Sequence, residues 1–217
     1  MILWTQLAAA AHVELSARQM ELFEAYLDRL ADGNQRMNLT RIVDRDAARV
    51  LHVGDALTLL PFLPRGEIRI ADVGSGGGVP GLILAIARPE AWVTCIESTK
   101  KKALFLQETA AGLGLRHVHV SPERSETLGE HRMRKAFDVA TARALGNLSE
   151  VARFCLPLLK HGGKLLAMKG PKVMEELPTA KPVIRRLGGG KPVIHPVQLP
   201  GAEGHVVVEV TIMGGRS

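Results

Sequence analysis

The chain has 217 residues, 46% of them hydrophobic, which is enough for one sizeable α/β domain with a small appendage and too apolar for a disordered protein. Its 28 Lys and Arg against 22 Asp and Glu give a formal net charge of +6, which suits a polyanionic partner without requiring one. Cys95 and Cys155, the only cysteines, lie too far apart in sequence to make a disulfide framework or a thiolate metal cluster.

No stretch approaches a membrane span, and the mildly apolar segment 1–13 has no basic region or cleavage signature, so a cytoplasmic protein without a membrane partner is expected. There is no internal repeat. The opening of the chain reads as helical: Ser16 and Gln19 form a capping-box pattern, and Met20, Phe23, Leu27 and Leu30 follow at helical spacing. Gly33-Asn34 is expected to end that helix, and a second is expected over 44–60, before Pro61.

From Ile68 onward, short apolar runs alternate with longer amphipathic ones. Strands are expected at 68–73, 92–97, 117–121, 137–142 and 164–169, with helices at 80–87, 99–112 and 148–159. The tail offers strand candidates at 183–187, 193–197 and 206–212, and the last two, with no helix between them, predict an antiparallel edge. Alternating strands and helices imply a mostly parallel sheet covered on both faces, a Rossmann-like α/β architecture. The division expected is an N-terminal helical cap over 1–63 packed on a ligand-binding body over 64–217, because Arg65-Gly66 is too short a hinge for independent motion.

The most informative segment is Asp72-Val73-Gly74-Ser75-Gly76-Gly77-Gly78-Val79-Pro80-Gly81. Glycines directly after a strand make a loop whose N–H groups a ligand can approach closely, at the sheet edge where nucleotides bind. Gly76, Gly78 and Gly81 also satisfy the dinucleotide pattern G-x-G-x-x-G, so an NAD-dependent oxidoreductase stays open. Asp72 leans the other way. A carboxylate there would repel a pyrophosphate but could meet the ammonium of a cofactor with an amino-acid tail, such as S-adenosyl-L-methionine. Glu97, ending the second strand, could accept ribose hydroxyls of either cofactor.

A sulfonium methyl is already activated, so alignment and desolvation suffice unless the acceptor must lose a proton. The stretch Thr141-Ala142-Arg143-Ala144-Leu145 lacks the proline-aromatic loop that grips exocyclic amines, and both cysteines read as core thiols rather than nucleophiles. A ring nitrogen with a free lone pair, such as purine N7, needs neither device. Arg143, at the end of an expected strand beside the glycine loop, could stack on a base or hold phosphate. Eight Lys and Arg fall between Lys160 and Lys191, against Glu175 and Glu176, with Lys169 at the end of another strand. Lys100, Lys101 and Lys102 open a helix, where the macrodipole disfavours cations and an external anion such as RNA phosphate could hold them. A solvated lysine cluster, and a non-catalytic RNA-binding module, stay open on the same grounds. Arg132-Met133-Arg134-Lys135 reads as an exposed loop rather than a site. The histidines at 117, 119, 161 and 205 show no ligand spacing, so no metal is expected.

These residues resemble the RsmG (GidB) family, bacterial small-subunit ribosomal RNA guanine-N7 methyltransferases. Asp72 to Gly81 is similar to its D-V-G-S-G-x-G-F/L-P-G motif, Asn38-Leu39-Thr40 to its N-L-T, and Leu51-His52 with Asp55-Ala56-Leu57 to its R/H-H-x-x-D-S-L. Glu97-Ser98, Lys101-Lys102 and Phe105-Leu106 resemble its E-S-x-x-K-K-x-x-F-L, while Ala142-Arg143-Ala144 and Met168-Lys169-Gly170 resemble its A-R-A and K-G. Val79 departs from the usual Phe or Leu, and Ala56 from the serine after Asp55. The resemblance implies a class I methyltransferase that moves a methyl group from S-adenosyl-L-methionine to guanine N7 in 16S ribosomal RNA or the small subunit; a monomer is expected. It implies cofactor contacts from Asp72, Gly74, Gly76, Gly78, Val79, Glu97, Ser125, Glu126 and Arg143. Arg143 would position the reactants with no general base. Thr40, His52, Asp55, Lys100, Lys101 and Lys169 would face RNA. From the residues alone, Thr40 could equally cap the next helix, and His52 with Asp55 could be a surface pair.

Overall fold

The computed structural model describes residues 4–123 and 133–213. The described strands are β1 (Arg69–Val73), β2 (Trp92–Ile96), β3 (Val118–Ser121), β4 (Phe137–Arg143), β5 (Leu159–Lys169), β6 (Val193–Pro196) and β7 (Val206–Thr211). They form one sheet in the order β3-β2-β1-β4-β5-β7-β6. The first five are parallel to their neighbours, whereas β7 runs antiparallel between β5 and β6. The antiparallel edge follows from chain length: too few residues separate β6 from β7 for a crossover helix.

Strand residues alternate between two cores. Ile70, Val93, Cys95 and Val139 point into one, and Ala71, Ile96, Ala140 and Ala142 into the other. The first core receives α2 (Ala17–Met37), α5 (Gly81–Ala87) and α6 (Lys100–Gly112). The second receives α7 (Leu148–Cys155) and α8 (Val173–Arg186). Ahead of α2 lies α1 (Trp4–Ala10), and between α2 and β1 lie α3 (Arg45–Ala48) and α4 (Asp55–Leu57). Phe23 and Tyr26 of α2 are fully buried in the same core as Leu82 and Leu106, so truncating Phe23 to alanine is expected to destabilise by about 3–5 kcal/mol.

Three expectations change. Helix α2 begins at the Ser16–Gln19 capping box as expected, but it does not stop at Gly33-Asn34. It runs to Met37 and ends at Asn38, which holds the left-handed conformation. Gly33 is there for closeness, since a Cβ would stand 2.6 Å from the Phe105 ring. The second helix is split: Asp44 caps α3 by accepting from the Ala47 N–H at 2.7 Å, and a π-helical segment, Arg49–Gly54, joins α3 to α4. The candidate strand at 183–187 is instead the end of α8. Val173, Leu177, Ala180 and Ile184 bury one helical stripe, a longer-range pattern that overrides the local β propensity of Val183-Ile184. Pro178 and Pro182 sit on the exposed face of that helix.

Candidate active site

The glycine loop leaves β1 beside β4, where the strand order reverses, and a crevice opens at this position in α/β sheets. The loop is held from below by Asp72. Its carboxylate accepts from the Gly81 N–H at 3.1 Å and the Thr141 hydroxyl at 2.9 Å, and burial pushes its pKa up to about 6. The approach to Gly81 is so close that a Cβ there would lie 2.6 Å from Asp72 Oδ2. From the side, Glu97 accepts from the Gly76 N–H at 3.0 Å and the Thr99 N–H at 2.8 Å. From above, the Tyr26 hydroxyl of α2 donates to the Gly77 carbonyl at 2.9 Å. Gly74, with φ of +73° and no room for a Cβ against Leu145, completes a backbone-walled cradle.

Above this loop lies a cleft of about 440 Å³, bounded by Gly74–Gly77, Val79, Glu97, Lys102 and Leu145. A second, wider cleft of about 1030 Å³ runs from Asn38–Ile42 past Met168 and Lys169 to His205. The two share Leu39, Thr40, His52, Arg143 and Ala144, so they meet at the carboxyl end of β4. Ala144 takes the left-handed conformation, φ +54°, which is strained for alanine and turns the chain away at that junction.

The junction is a buried polar cluster centred on Arg143. Its Nη1 donates to the Leu51 carbonyl at 2.6 Å, in the π-helical turn where carbonyls fall out of the regular ladder. Its Nη2 donates to His52 Nδ1 at 2.9 Å, and Asp55 Oδ2 lies 4.0 Å from Nη1. Arginine has no lone pair to offer, so His52 Nδ1 must be the acceptor and the ring proton must sit on Nε2. Burial, reinforced by the Arg143 charge, pulls the His52 pKa down to about 4 and keeps the ring neutral. His52 Nε2 then donates to Thr40 Oγ1 at 3.0 Å. The same Asp55 oxygen lies 3.1 Å from His205 Nδ1, and burial raises the Asp55 pKa.

The GidB family, described as rRNA small subunit methyltransferase G, matches residues 19–197. The chain belongs to the GidB family. Relatives described as ribosomal RNA small subunit methyltransferase G include one from Sorangium cellulosum, 43% identical over 87% of this chain and 88% of its own length. Another, from Roseiflexus sp., is 39% identical over 94% and 87%. Among solved structures, the fold matches a SAM-dependent methyltransferase from Aquifex aeolicus with TM-score 0.58, 16% identity and coverage of 76% and 93%. It matches a ribosomal protein L11 methylase from Lactobacillus delbrueckii with TM-score 0.58, 14% identity and coverage of 76% and 79%.

Within this GidB chain the expected site residues are placed unevenly. Gly74, Gly76, Val79, Glu97, Thr40, His52 and Arg143 border the clefts. Asp72 and Gly78 do not; Asp72 is 1% exposed, with Oδ2 accepting from the Gly81 N–H and Oδ1 from the Thr141 hydroxyl. His52 and Asp55 are not a surface pair. Both are buried, and each bonds a different partner. Thr40 is not a helix cap, because Asp44 takes that position. Lys100 and Lys101 are exposed and outside the clefts, while Lys102 reaches the first. Lys169 borders the second cleft, but its ammonium is held by Glu176 and the Gly146 carbonyl, both at 2.8 Å. Of the basic run, Lys160 and Lys164 are likewise paired, with Asp138 and Glu209. Ser125 and Glu126 lie outside the described residues; Glu123, just before them, borders the first cleft. Cys95 and Cys155 are buried thiols whose pKa values burial raises, so neither is poised as a nucleophile. Sequence reasoning missed His205, which spacing alone could not place beside Asp55, and Tyr26, which lay outside the stripe Met20, Phe23, Leu27 and Leu30.

Proposed function

We propose that this chain transfers the methyl group of S-adenosyl-L-methionine to N7 of a guanine in small-subunit ribosomal RNA. The observation that carries the reading is the meeting of two clefts at Arg143, one with the glycine loop as a wall and the other wider. The first fits the cofactor: its volume falls within the about 300–1,000 Å³ usual for such ligands, and side chains are absent where the loop would approach it. Gly74, Gly76, Val79 and Glu97 would hold it, with Ser125 and Glu126 beyond the described residues. Asp72 and Gly78 would serve it indirectly by fixing the loop. When bound, S-adenosyl-L-methionine supplies a methyl group already activated on a sulfonium.

The protein's own part is alignment. Arg143, pinned at two nitrogens, fixes the floor of the acceptor side, and Leu39 and Leu145 keep that junction partly dry. Purine N7 has a lone pair and no proton to lose, so no side chain need act as a general base. Thr40, His52 and Asp55 would shape the acceptor pocket, while Lys100 and Lys101 would meet RNA phosphates outside it. Residues 1–63 would form a cap that contributes Thr40, His52 and Asp55 to a body over 64–217. The partner would be the ribosomal RNA or the small subunit, met by a monomer in the cytoplasm without a metal. No helix among the described residues is long and apolar enough to cross a membrane, and no group of potential metal ligands occurs among them.

Family membership does not favour the oxidoreductase and non-catalytic alternatives that the glycine loop and net charge left open. S-adenosylhomocysteine is expected to raise the thermal unfolding midpoint and NADH to leave it unchanged. Stabilisation by NADH alone would overturn the reading.

A further inference from the structure

Thr40 Oγ1 accepts twice: from His52 Nε2 at 3.0 Å and from the Ile42 N–H at 3.0 Å. A hydroxyl has two acceptor lone pairs and one proton, so both acceptor sites are filled and only the proton remains. The first of those bonds cannot reverse. Arg143 occupies His52 Nδ1 as a donor, which forces the ring proton onto Nε2 and toward Thr40. The backbone is fixed as well, because the Thr40 N–H donates to the Asn34 side chain at 2.8 Å. Thr40 is half-buried and borders both clefts at their junction, so its one free valence is a hydrogen-bond donor beside the place where the methyl group would move.

The acceptor proposed above presents two acceptors on one edge: guanine has N7 and O6 side by side, whereas a 6-aminopurine has N7 beside an N–H donor. N7 must keep its lone pair free to react, so a donor at this junction has O6 as its natural partner. We propose that the Thr40 hydroxyl, oriented by Arg143 through His52, donates to the purine 6-oxo group and makes the site select guanine over 6-aminopurines. The inference rests on the guanine-N7 reading and adds to it the group that discriminates. Opposite a 6-amino group the hydroxyl would face a second donor with no lone pair left to offer it.

The test uses small subunits carrying either guanine or 2,6-diaminopurine at the mapped target nucleotide, with single-turnover methyl transfer measured on each. The wild-type chain should favour guanine by at least about 100-fold. Thr40→Val should slow guanine by about 10- to 100-fold, leave the diaminopurine rate within about threefold, and leave S-adenosylhomocysteine affinity unchanged. Thr40→Ser, which keeps the hydroxyl, should restore the guanine preference. A normal guanine rate in Thr40→Val overturns the proposal. So does an equal fall on both purines, which would make Thr40 a structural prop, or a loss of S-adenosylhomocysteine affinity, which would give the donor to the cofactor. Failure of the wild-type chain to methylate either purine would instead break the underlying reading.

Discussion

The two clefts share Arg143 but are built from different materials. The first has the glycine-loop main chain as one wall, and that loop is fixed by bonds its backbone N–H groups make to Asp72 and Glu97. The second is walled by side chains from distant parts of the chain, tied together by Arg143, His52, Asp55 and His205. A backbone cradle tolerates a change in one supporting side chain, because the other supports still constrain the loop. A cluster of buried charges does not, because removing one member leaves the others desolvated and unpaired. Damage should therefore be graded on the cofactor side and abrupt on the acceptor side.

The comparison is broken most severely at Arg143. Arg143→Ala should lower methyl transfer more than about 100-fold and destabilise the fold by about 2–4 kcal/mol, read by single-turnover rates and urea unfolding. Arg143→Lys should not rescue, since one ammonium cannot reproduce two directed bonds to Leu51 and His52. Full activity in the lysine variant would mean that only charge matters there. Next in size, Glu97→Ala should weaken S-adenosylhomocysteine binding about tenfold, because the Gly76 and Thr99 N–H groups lose their acceptor. RNA affinity should be unchanged by calorimetry; a parallel loss would mean that the two sides are not separable.

The third effect is a dependence on pH. His52 has a folded pKa of about 4 against an ordinary 6.5, so its contribution to stability is present above pH 6.5 and is lost as pH falls toward 4. Asp72 has a folded pKa of about 6 against 3.8, so its burial is harmless at low pH and becomes unfavourable as pH rises through that interval. Each amounts to about 3 kcal/mol over its full range, with opposite sign, so the pair nearly cancels between pH 4 and 6. His52→Gln should uncover the other slope. Its unfolding free energy should fall as pH rises from 4 to 6, in the same direction as the raised pKa of Asp55. A variant that gains stability over that interval would contradict the assignment. The smallest effects belong to Lys100→Ala and Lys101→Ala. Each should weaken RNA binding by no more than about threefold and reduce its salt slope by about one, with cofactor affinity untouched.

How much of this was legible before the structure follows the same division. The glycine loop is contiguous, so its residues declare themselves together, and Glu97 follows at the end of the next strand. The sheet was legible because a helix follows each of β1, β2 and β4. The tail was not fully so: Val183-Ile184 looks like a strand until Val173, Leu177 and Ala180 are read with it. The acceptor side depends on contacts across the chain. Thr40, His52 and Arg143 could be named, but not their order of donation, which needs the π-helical turn at Arg49–Gly54. His205 could not be found at all, because the residue that explains it, Asp55, is 150 positions away. Lys169 looked free because the sequence does not show Glu176 reaching it across β5 and α8.

The most direct test is methyl transfer from labelled S-adenosyl-L-methionine to small subunits and free ribosomal RNA that lack the modification, followed by digestion and nucleoside analysis. The account predicts label at one site, recovered as 7-methylguanosine. Label recovered in another nucleoside, or absent from both substrates while S-adenosylhomocysteine binds normally, would contradict it.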